Sequence, residues 1–321
     1  MTRGRGWLVA PLAIGVLVHC SAQHAVPQPP SEHAVANEPT TPESHIESSA
    51  PSVEVCATVR ADRVCLAGGM AQVGTSTVEA HFEERPPRAA RLRPFEIDRE
   101  EVSAAAYASC VASGHCRVPA CDDGTLPVSE GAVRCVAWSD ARAYCASMNG
   151  RLPSEAEWER AAAGLIPLHR AFPWGDDAGS GDAAALVDET PDGVRGLGGG
   201  VAEWVADVGA FYLVPMRRDA GTDVIEAGSS PPPSAAANIA NDSVERDVDA
   251  GPEFTDAGLF VVDDPRGPRE GTWRVVRGGD SRSAATQWTS SRRRFRVPAD
   301  RRSWIGFRCA YDVVPGFDAG L

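Results

Sequence analysis

The nine cysteines of this 321-residue chain are the residue type with the widest scope for chemistry. Thiolates bind soft metals such as copper(I), whereas paired cysteines form disulfides that persist in an oxidising compartment. Nine is an odd number, so at least one thiol has no partner within the monomer. Because no Cys-x-x-Cys spacing occurs, the pattern favours disulfides over a metal cluster.

The N-terminus suggests which cysteine is left over. Arg3 and Arg5 precede an apolar run over 7–18, which is too short to span a bilayer as a helix. We interpret residues 1–20 as a lipoprotein-type signal peptide with Cys20 as the lipidated residue. The alternative is an ordinary signal peptide cleaved nearby, because His19 is not the small residue expected before a lipidated cysteine. Both predict a protein outside the cytoplasm, periplasmic or held at the outer membrane by a lipid anchor alone.

Two stretches have compositions that do not suit a folded core. Residues 21–54 are rich in Pro, Ser, Ala, Glu and Thr, and we predict a disordered tether there. Residues 217–256 combine three consecutive prolines with many carboxylates, which predicts an acidic disordered insertion. The folded domain is therefore expected over 55–321, interrupted by that insertion.

Histidine and net charge exclude two classes of function. After the tether only His81, His115 and His169 remain, in separate segments without ligand spacing, so a 2-His-1-carboxylate iron site is not expected. The net charge is −13 and all 31 basic residues are arginine. A general nucleic-acid binder is excluded, because a phosphate backbone repels a net-negative surface.

Arginine is nevertheless concentrated near the C-terminus, at Arg292, Arg293, Arg294 and Arg296. The planar guanidinium group suits bidentate binding of carboxylate, sulfate or phosphate. One hypothesis is therefore an anion-binding or acidic-partner site. The other, which we favour at this point, is a solvated face neutralised by the acidic insertion of the same chain.

Three helices can be placed from their capping residues. Ser103 precedes a helix that runs through Ser113, Ser139 opens a helix over 140–149, and Ser154 opens a helix that Gly164 ends. Ser154 and Glu157 have the spacing of a capping box. Elsewhere glycine, proline and tryptophan interrupt any helical or strand period, which predicts much irregular structure.

The segments VAWSDARAYC (136–145) and RLPSEAEWE (151–159) resemble the formylglycine-generating enzyme, or sulfatase-modifying factor, family. The family consensus there reads VSWxDAxAYC and RLPTEAEWE. Other family motifs occur before and after these segments, in the order that the family has: FEID (95–98), FPWGD (172–176), VAEWVAD (201–207), RGG (277–279) and GFRCA (306–310). The resemblance implies an α+β fold related to C-type-lectin-like domains, with sparse sheet.

The founding enzymes of this family oxidise a sulfatase cysteine to formylglycine with copper(I) and oxygen. The resemblance places the two copper-binding cysteines at Ser283 and Trp288, and neither residue offers a thiolate. No catalytic residue is therefore assigned, and a copper oxidase of the known type is not expected.

Calcium is the other cofactor that the resemblance implies. The asparagine ligand of the family's GNVxEW motif is replaced by Gly200, while Glu203 and Asp207 remain as candidate ligands for a hard cation. The competing interpretation is that Glu203 is the buried partner of an arginine.

The resemblance also implies a disulfide between Cys145 and Cys309. Six further cysteines of the domain allow many pairings. Proximity along the chain favours Cys56–Cys65, Cys110–Cys116 and Cys121–Cys135.

These expectations leave three functions open. The leading one is an exported lipoprotein whose domain is a non-catalytic binding or scaffold module for an unidentified protein or glycan. The first alternative is a formylglycine-generating-type or related metal-dependent oxidase with an unrecognised site. The second is a calcium-dependent glycan or cell-wall binder.

Overall fold

The computed structural model describes residues 60–178, 188–212, 253–284 and 287–313. The predicted signal peptide with Cys20, the predicted tether and residues 217–252 of the predicted insertion lie outside them. The described part contains three short helices, one 3-10 turn and ten strands, joined by long irregular connections. This confirms the predicted α+β fold with much irregular structure.

The helices are α1 (Ala104–Ala112), α2 (Trp138–Ser147) and α3 (Glu155–Ala163). The cap of α1 is as predicted, with Ser103 Oγ accepting from Ala106 N at 3.1 Å. Both bonds of the capping box of α3 are present: Glu157 N donates to Ser154 Oγ at 3.2 Å, and Ser154 N donates to Glu157 Oε2 at 2.7 Å. All nine residues of α3 are buried.

The predicted start of α2 is wrong. The helix begins at Trp138 with Ala137 as its N-cap, and no side chain caps it. Tertiary contacts fix this start instead, because Trp138 N donates to Pro298 O at 3.0 Å and the Trp138 indole donates to Val205 O at 2.8 Å. The helix ends at Ser147, before Asn149, whose φ of 57° is left-handed.

The strands form three small sheets. The strands are β1 (Arg63–Leu66), β2 (Gly69–Val73), β3 (Arg88–Leu92), β4 (Phe95–Asp98), β5 (Ala202–Val208), β6 (Val261–Asp263), β7 (Arg274–Arg277), β8 (Arg293–Arg296), β9 (Ile305–Gly306) and β10 (Ala310–Asp312); the 3-10 turn η1 covers Phe82–Glu84. One sheet has the antiparallel order β1-β4-β10, a second has the order β2-β3-β6, and a four-stranded sheet has the order β8-β7-β5-β9.

The four-stranded sheet separates two apolar clusters, because alternate residues of a strand face opposite sides. Trp204 of β5 and Val276 of β7 belong to the cluster that also holds α1 and α2. Val205 and Val275 belong to the other cluster, which holds Trp158 of α3. The family motif around residues 201–207 therefore forms the centre of the core.

Disulfides tie the α1–α2 side of the domain together. Cys145 is bonded to Cys309 across 164 positions of sequence, as the resemblance implies. Cys110–Cys116 and Cys121–Cys135 are also present, which confirms two of the pairings predicted from proximity. Cys65 is disulfide-bonded too, but its predicted partner Cys56 lies outside the described residues.

The helices that the structure describes are all short. None of them is long and apolar enough to cross a membrane.

Candidate functional site

The two positions at which the resemblance places the family's copper-binding cysteines, Ser283 and Trp288, lie around one turn of backbone. Ser283 N donates to Asp280 O at 2.8 Å, and Ser283 Oγ donates to Asp280 Oδ2 at 3.2 Å. The indole of Trp288 donates to the same Asp280 O at 3.2 Å. Hydrogen bonds to Asp280 therefore hold both residues, and neither presents a soft ligand.

Trp288 fills this part of the domain. Its exposed fraction is only 4%, and its ring meets Trp174 edge-on with 6.2 Å between centroids. The backbone opposite the indole consists of glycine: a Cβ on Gly199 would lie 2.8 Å from Trp288 ring atoms, and a Cβ on Gly279 would overlap the indole. The close approach of the chain to this ring thus requires glycine at both positions.

A half-buried carboxylate, Asp188, holds the glycine segment. Asp188 Oδ2 accepts from Gly198 N at 2.8 Å and from Gly199 N at 2.7 Å. Burial raises the pKa of Asp188, although these two N–H groups oppose that shift. The loop that covers Trp288 is consequently fixed by backbone hydrogen bonds.

The thiols needed for copper(I) are missing from the described part of the chain. All seven cysteines there are disulfide-bonded: Cys65, Cys110, Cys116, Cys121, Cys135, Cys145 and Cys309. A disulfide sulfur is not a thiolate ligand. The residues present at Ser283 and Trp288 do not fit a two-thiolate copper(I) centre.

Glu203 is the buried partner of an arginine, as the alternative to a calcium ligand predicts. Both its oxygens accept from Arg308, at 2.7–3.0 Å, and Glu203 Oε2 also accepts from the Trp158 indole at 2.9 Å. Glu203 and Arg308 are each fully buried. Their pairing neutralises a charge that would otherwise be isolated in the core.

Asp207 lies further along β5, against the start of α3. Its Oδ2 accepts from Glu155 N at 2.7 Å. Burial, reinforced by the Glu155 carboxylate, raises the pKa of Asp207 to about 7. A carboxyl that keeps part of its proton near neutral pH is a poorer calcium ligand than a fully ionised carboxylate. In the described segments no group of three or more His, Cys, Asp or Glu is placed to hold a metal ion.

Gly200 stands where the resemblance places an asparagine, and its surroundings leave no room for a side chain. A Cβ on Gly200 would overlap Glu101 Oε1. Glu101 lies 4.0 Å from Arg308 Nη2 and accepts weakly from Val201 N at 3.3 Å. The carboxylate of Glu101 thus occupies the space that an asparagine side chain would need.

The arginine cluster divides into two groups. Arg293 is buried and forms a bidentate pair with Glu155, and Arg292 donates to Glu84 at 3.0 Å. Arg294 and Arg296 lie over the ring of Trp304, at 4.6 and 5.2 Å from its centroid. The favoured interpretation of one solvated face is wrong for Arg293, whose charge is paired in the core.

Two arginines that sequence patterns did not single out lie beside the second group. Arg274 lies 4.1 Å and Arg142 lies 5.3 Å from the ring centroid of Trp138. Arg274 is directly opposite Arg296 in the β7–β8 register. Arg142 follows Trp138 by four residues in α2, so its stacking is a local helical contact. Arg274 reaches the same ring only through sheet pairing, which the sequence does not mark.

The three histidines are far from forming one site. His115 Nδ1 is 3.0 Å from Ser113 Oγ, His169 Nε2 is 3.7 Å from Glu159 Oε1, and His81 precedes η1. Each therefore has its own local surroundings, and no ligand set forms among the described residues.

Comparison with known proteins shows the family to which the chain belongs. Residues 50–313 match the family model of the sulfatase-modifying factor enzyme 1-like domain. A formylglycine-generating enzyme of Streptomyces coelicolor is 28% identical over 303 residues, which cover 78% of this chain and 89% of that protein.

A second relative differs in overall size. The serine/threonine-protein kinase Pkn1 of Chlamydia trachomatis is 28% identical over 187 residues, covering 56% of this chain but only 24% of the kinase. The chain thus spans about a quarter of that relative. Among solved structures, PvdO from Pseudomonas aeruginosa has a TM-score of 0.51 at 22% identity, covering 77% of this chain and 93% of PvdO. That likeness concerns the fold alone.

Proposed function

The chain belongs to the sulfatase-modifying factor family, and we propose that it is a non-catalytic member, a binding or scaffold module. The observation that carries this proposal is Trp288. Trp288 stands where the resemblance places one copper-binding cysteine, and its buried indole packs against Gly199 and Gly279. Without a thiolate pair or an open space there, this region cannot support the oxidation of a cysteine by the family's route.

The proposal includes export. The signal-peptide pattern of residues 1–20, with Cys20 at its end, supports a lipid-anchored protein outside the cytoplasm. The three disulfides of known pairing support it further, because disulfides persist in oxidising compartments. The module would then act at a membrane surface on a protein or glycan partner.

A copper(I) titration tests the missing centre. The chain with Cys20→Ser, which removes the one cysteine outside the domain, is titrated with copper(I) under ascorbate against a chromophoric chelator. A Ser283→Cys/Trp288→Cys variant in the same background is the matched control, with its thiols and melting temperature checked. We expect no competition by the parent and measurable competition by the control. Stoichiometric copper(I) binding by the parent would contradict the proposal.

A further inference from the structure

Two tryptophans on one side of the domain each carry stacked arginines. Arg142 and Arg274 lie over Trp138, and three arginines lie over Trp304, with ring-centroid distances of 4.1–5.6 Å. We call this set the arginine–tryptophan surface; its members are Trp138, Arg142, Arg274, Arg282, Arg294, Arg296 and Trp304.

Sheet geometry makes the surface continuous. Arg274 and Arg296 face each other across the β7–β8 pair, and Arg294 is two residues from Arg296, so all three side chains lie on the same sheet face. Trp138 N donates to Pro298 O, just beyond the end of β8. The two tryptophans are therefore joined by a row of arginines.

Most of this positive charge has no local counterion. Asp280 pairs with Arg282 at 3.2 Å and with Arg294 at 3.5 Å. For Arg142, Arg274 and Arg296, no carboxylate oxygen of the described residues lies within 4.0 Å. The Nε atoms of Arg274 and Arg294 are buried without a hydrogen-bond partner in the same part of the chain.

The arginines also repel one another. Burial and the charges of Arg292 and Arg296 lower the pKa of Arg294 to about 10, although Asp280 opposes that shift. Burial and the charge of Arg142 lower the pKa of Arg274, although the Asp207 carboxylate opposes that shift. An anion placed here would relieve this repulsion.

We propose that the arginine–tryptophan surface binds an extended, acidic polypeptide segment of a partner protein. The proposal deepens the proposed function, because it names the chemistry of the partner that a non-catalytic module would bind.

Three features favour a polypeptide. Stacking on an indole leaves edge N–H groups of a guanidinium available for bonds to carboxylates. Arg294 Nη2 already donates to Gly278 O and Arg296 Nη1 to Phe295 O, so a carboxylate would bind their remaining N–H groups and those of Arg142 and Arg274. Within the described residues β8 is the terminal strand of its sheet, so an extended peptide can pair along its outer edge. Alternate residues of such a strand would then place carboxylates near Arg294 and Arg296.

The net negative charge of the chain disfavours an acidic partner everywhere except at the arginine–tryptophan surface. The chain has a net charge of −13, so its overall field repels acidic partners. Binding therefore needs a local match and should weaken steeply as salt screens it.

A fluorescence-anisotropy titration of the full chain tests the proposal. The probe is a labelled peptide of about ten residues with glutamate at alternate positions, and a peptide with glutamine at those positions is the negative probe. The test variants are Arg274→Gln/Arg296→Gln and, in case that pair unfolds the domain, Arg142→Gln/Arg282→Gln on the more exposed positions. Arg93→Gln/Arg195→Gln has the same charge change and is the matched control, since its side chains are 78% and 49% exposed in other regions.

We expect the glutamate peptide to bind at about 50 mM salt and to weaken at about 300 mM salt. Each folded test variant should lose about tenfold in affinity, and the control should keep the affinity of the parent. Equal losses in the test and control variants would show a general charge effect and overturn the proposal, as would absence of binding at low salt. Stronger binding of a sulfated oligosaccharide than of the peptide would overturn it in favour of a glycan.

A last measurement tests whether the acidic insertion of the same chain, predicted over 217–256, occupies the arginine–tryptophan surface. A variant with the carboxylates of 219–249 changed to their amides is titrated in parallel. If only this variant binds the peptide, the segment itself is the occupant and a partner is the wrong assignment. Failure of any arm leaves the copper(I) titration unaffected, so the two proposals fail independently.

Discussion

The packing of Trp288 against Gly199 can be tested by a double-mutant cycle. Trp288→Ala removes a buried ring and should lower the free energy of unfolding by about 3–5 kcal/mol. Gly199→Ala in the parent places a methyl group 2.8 Å from two atoms of that ring, and overpacking of this kind costs about 1–3 kcal/mol.

The free-energy costs of the two substitutions should not add. Once Trp288 is alanine, the new methyl group at Gly199 enters space that the indole has left, because no other atom lies among its three nearest neighbours. We expect Gly199→Ala to cost about 0 kcal/mol in that background, which gives a coupling of about 1–3 kcal/mol.

The assay is guanidinium denaturation followed by far-ultraviolet circular dichroism for the four members of the cycle. Gly209→Ala is the matched control, because its methyl group would lie 2.8 Å from Phe295 rather than Trp288. Its cost should add to that of Trp288→Ala within about 0.5 kcal/mol. If Gly199→Ala costs as much without Trp288 as with it, the indole does not fill this space and the reasoning is refuted.

Three further predictions follow from the same contacts. Replacing Cys145 and Cys309 together with alanine opens a loop of 164 residues and should lower the free energy of unfolding by about 5 kcal/mol, read as a lower denaturation midpoint; an unchanged midpoint would contradict the pairing. The pKa of Asp207 is raised to about 7 in the native state, whereas that of an unfolded Asp is about 4. Between these two values the native state binds a proton that the unfolded state has released, so the free energy of unfolding should fall as pH rises from about 4 to about 7. Asp207→Asn should reduce the slope of the free energy of unfolding against pH, and a slope identical to that of the parent would contradict this assignment. Gly200→Asn should cost about 1–3 kcal/mol by overlap with Glu101, and added calcium should not raise its melting temperature; a calcium-dependent rise would contradict the steric account.

Local signals predicted the parts of the fold that depend on local bonds. The capping box of Ser154 and Glu157 joins residues three positions apart, so the sequence alone contains both partners. The start of α2 depends instead on Val205 and Pro298, which are remote in sequence from Trp138. Ser139 has the residue type of an N-cap, but these remote contacts start the helix at Trp138.

The arginine cluster shows the same limit at the candidate site. Arg293 and Arg294 are neighbours in sequence with the same chemistry, yet alternation along β8 directs them to opposite faces of the sheet. Arg293 reaches Glu155, 138 positions away, while Arg294 reaches Trp304. Motifs identified the family, but the surface that includes Arg274 needed the strand register.

Whether the chain oxidises a cysteine peptide tests the central claim most directly. The full chain is incubated with copper(I), oxygen and a peptide that contains the sulfatase-type Cys-x-Pro-x-Arg motif, and formylglycine is measured by mass spectrometry. A formylglycine-generating enzyme run in parallel confirms that the assay works. The structure around Trp288 predicts no conversion above the no-protein control. Conversion that depends on this chain would show that it is a catalyst and that the non-catalytic assignment is wrong.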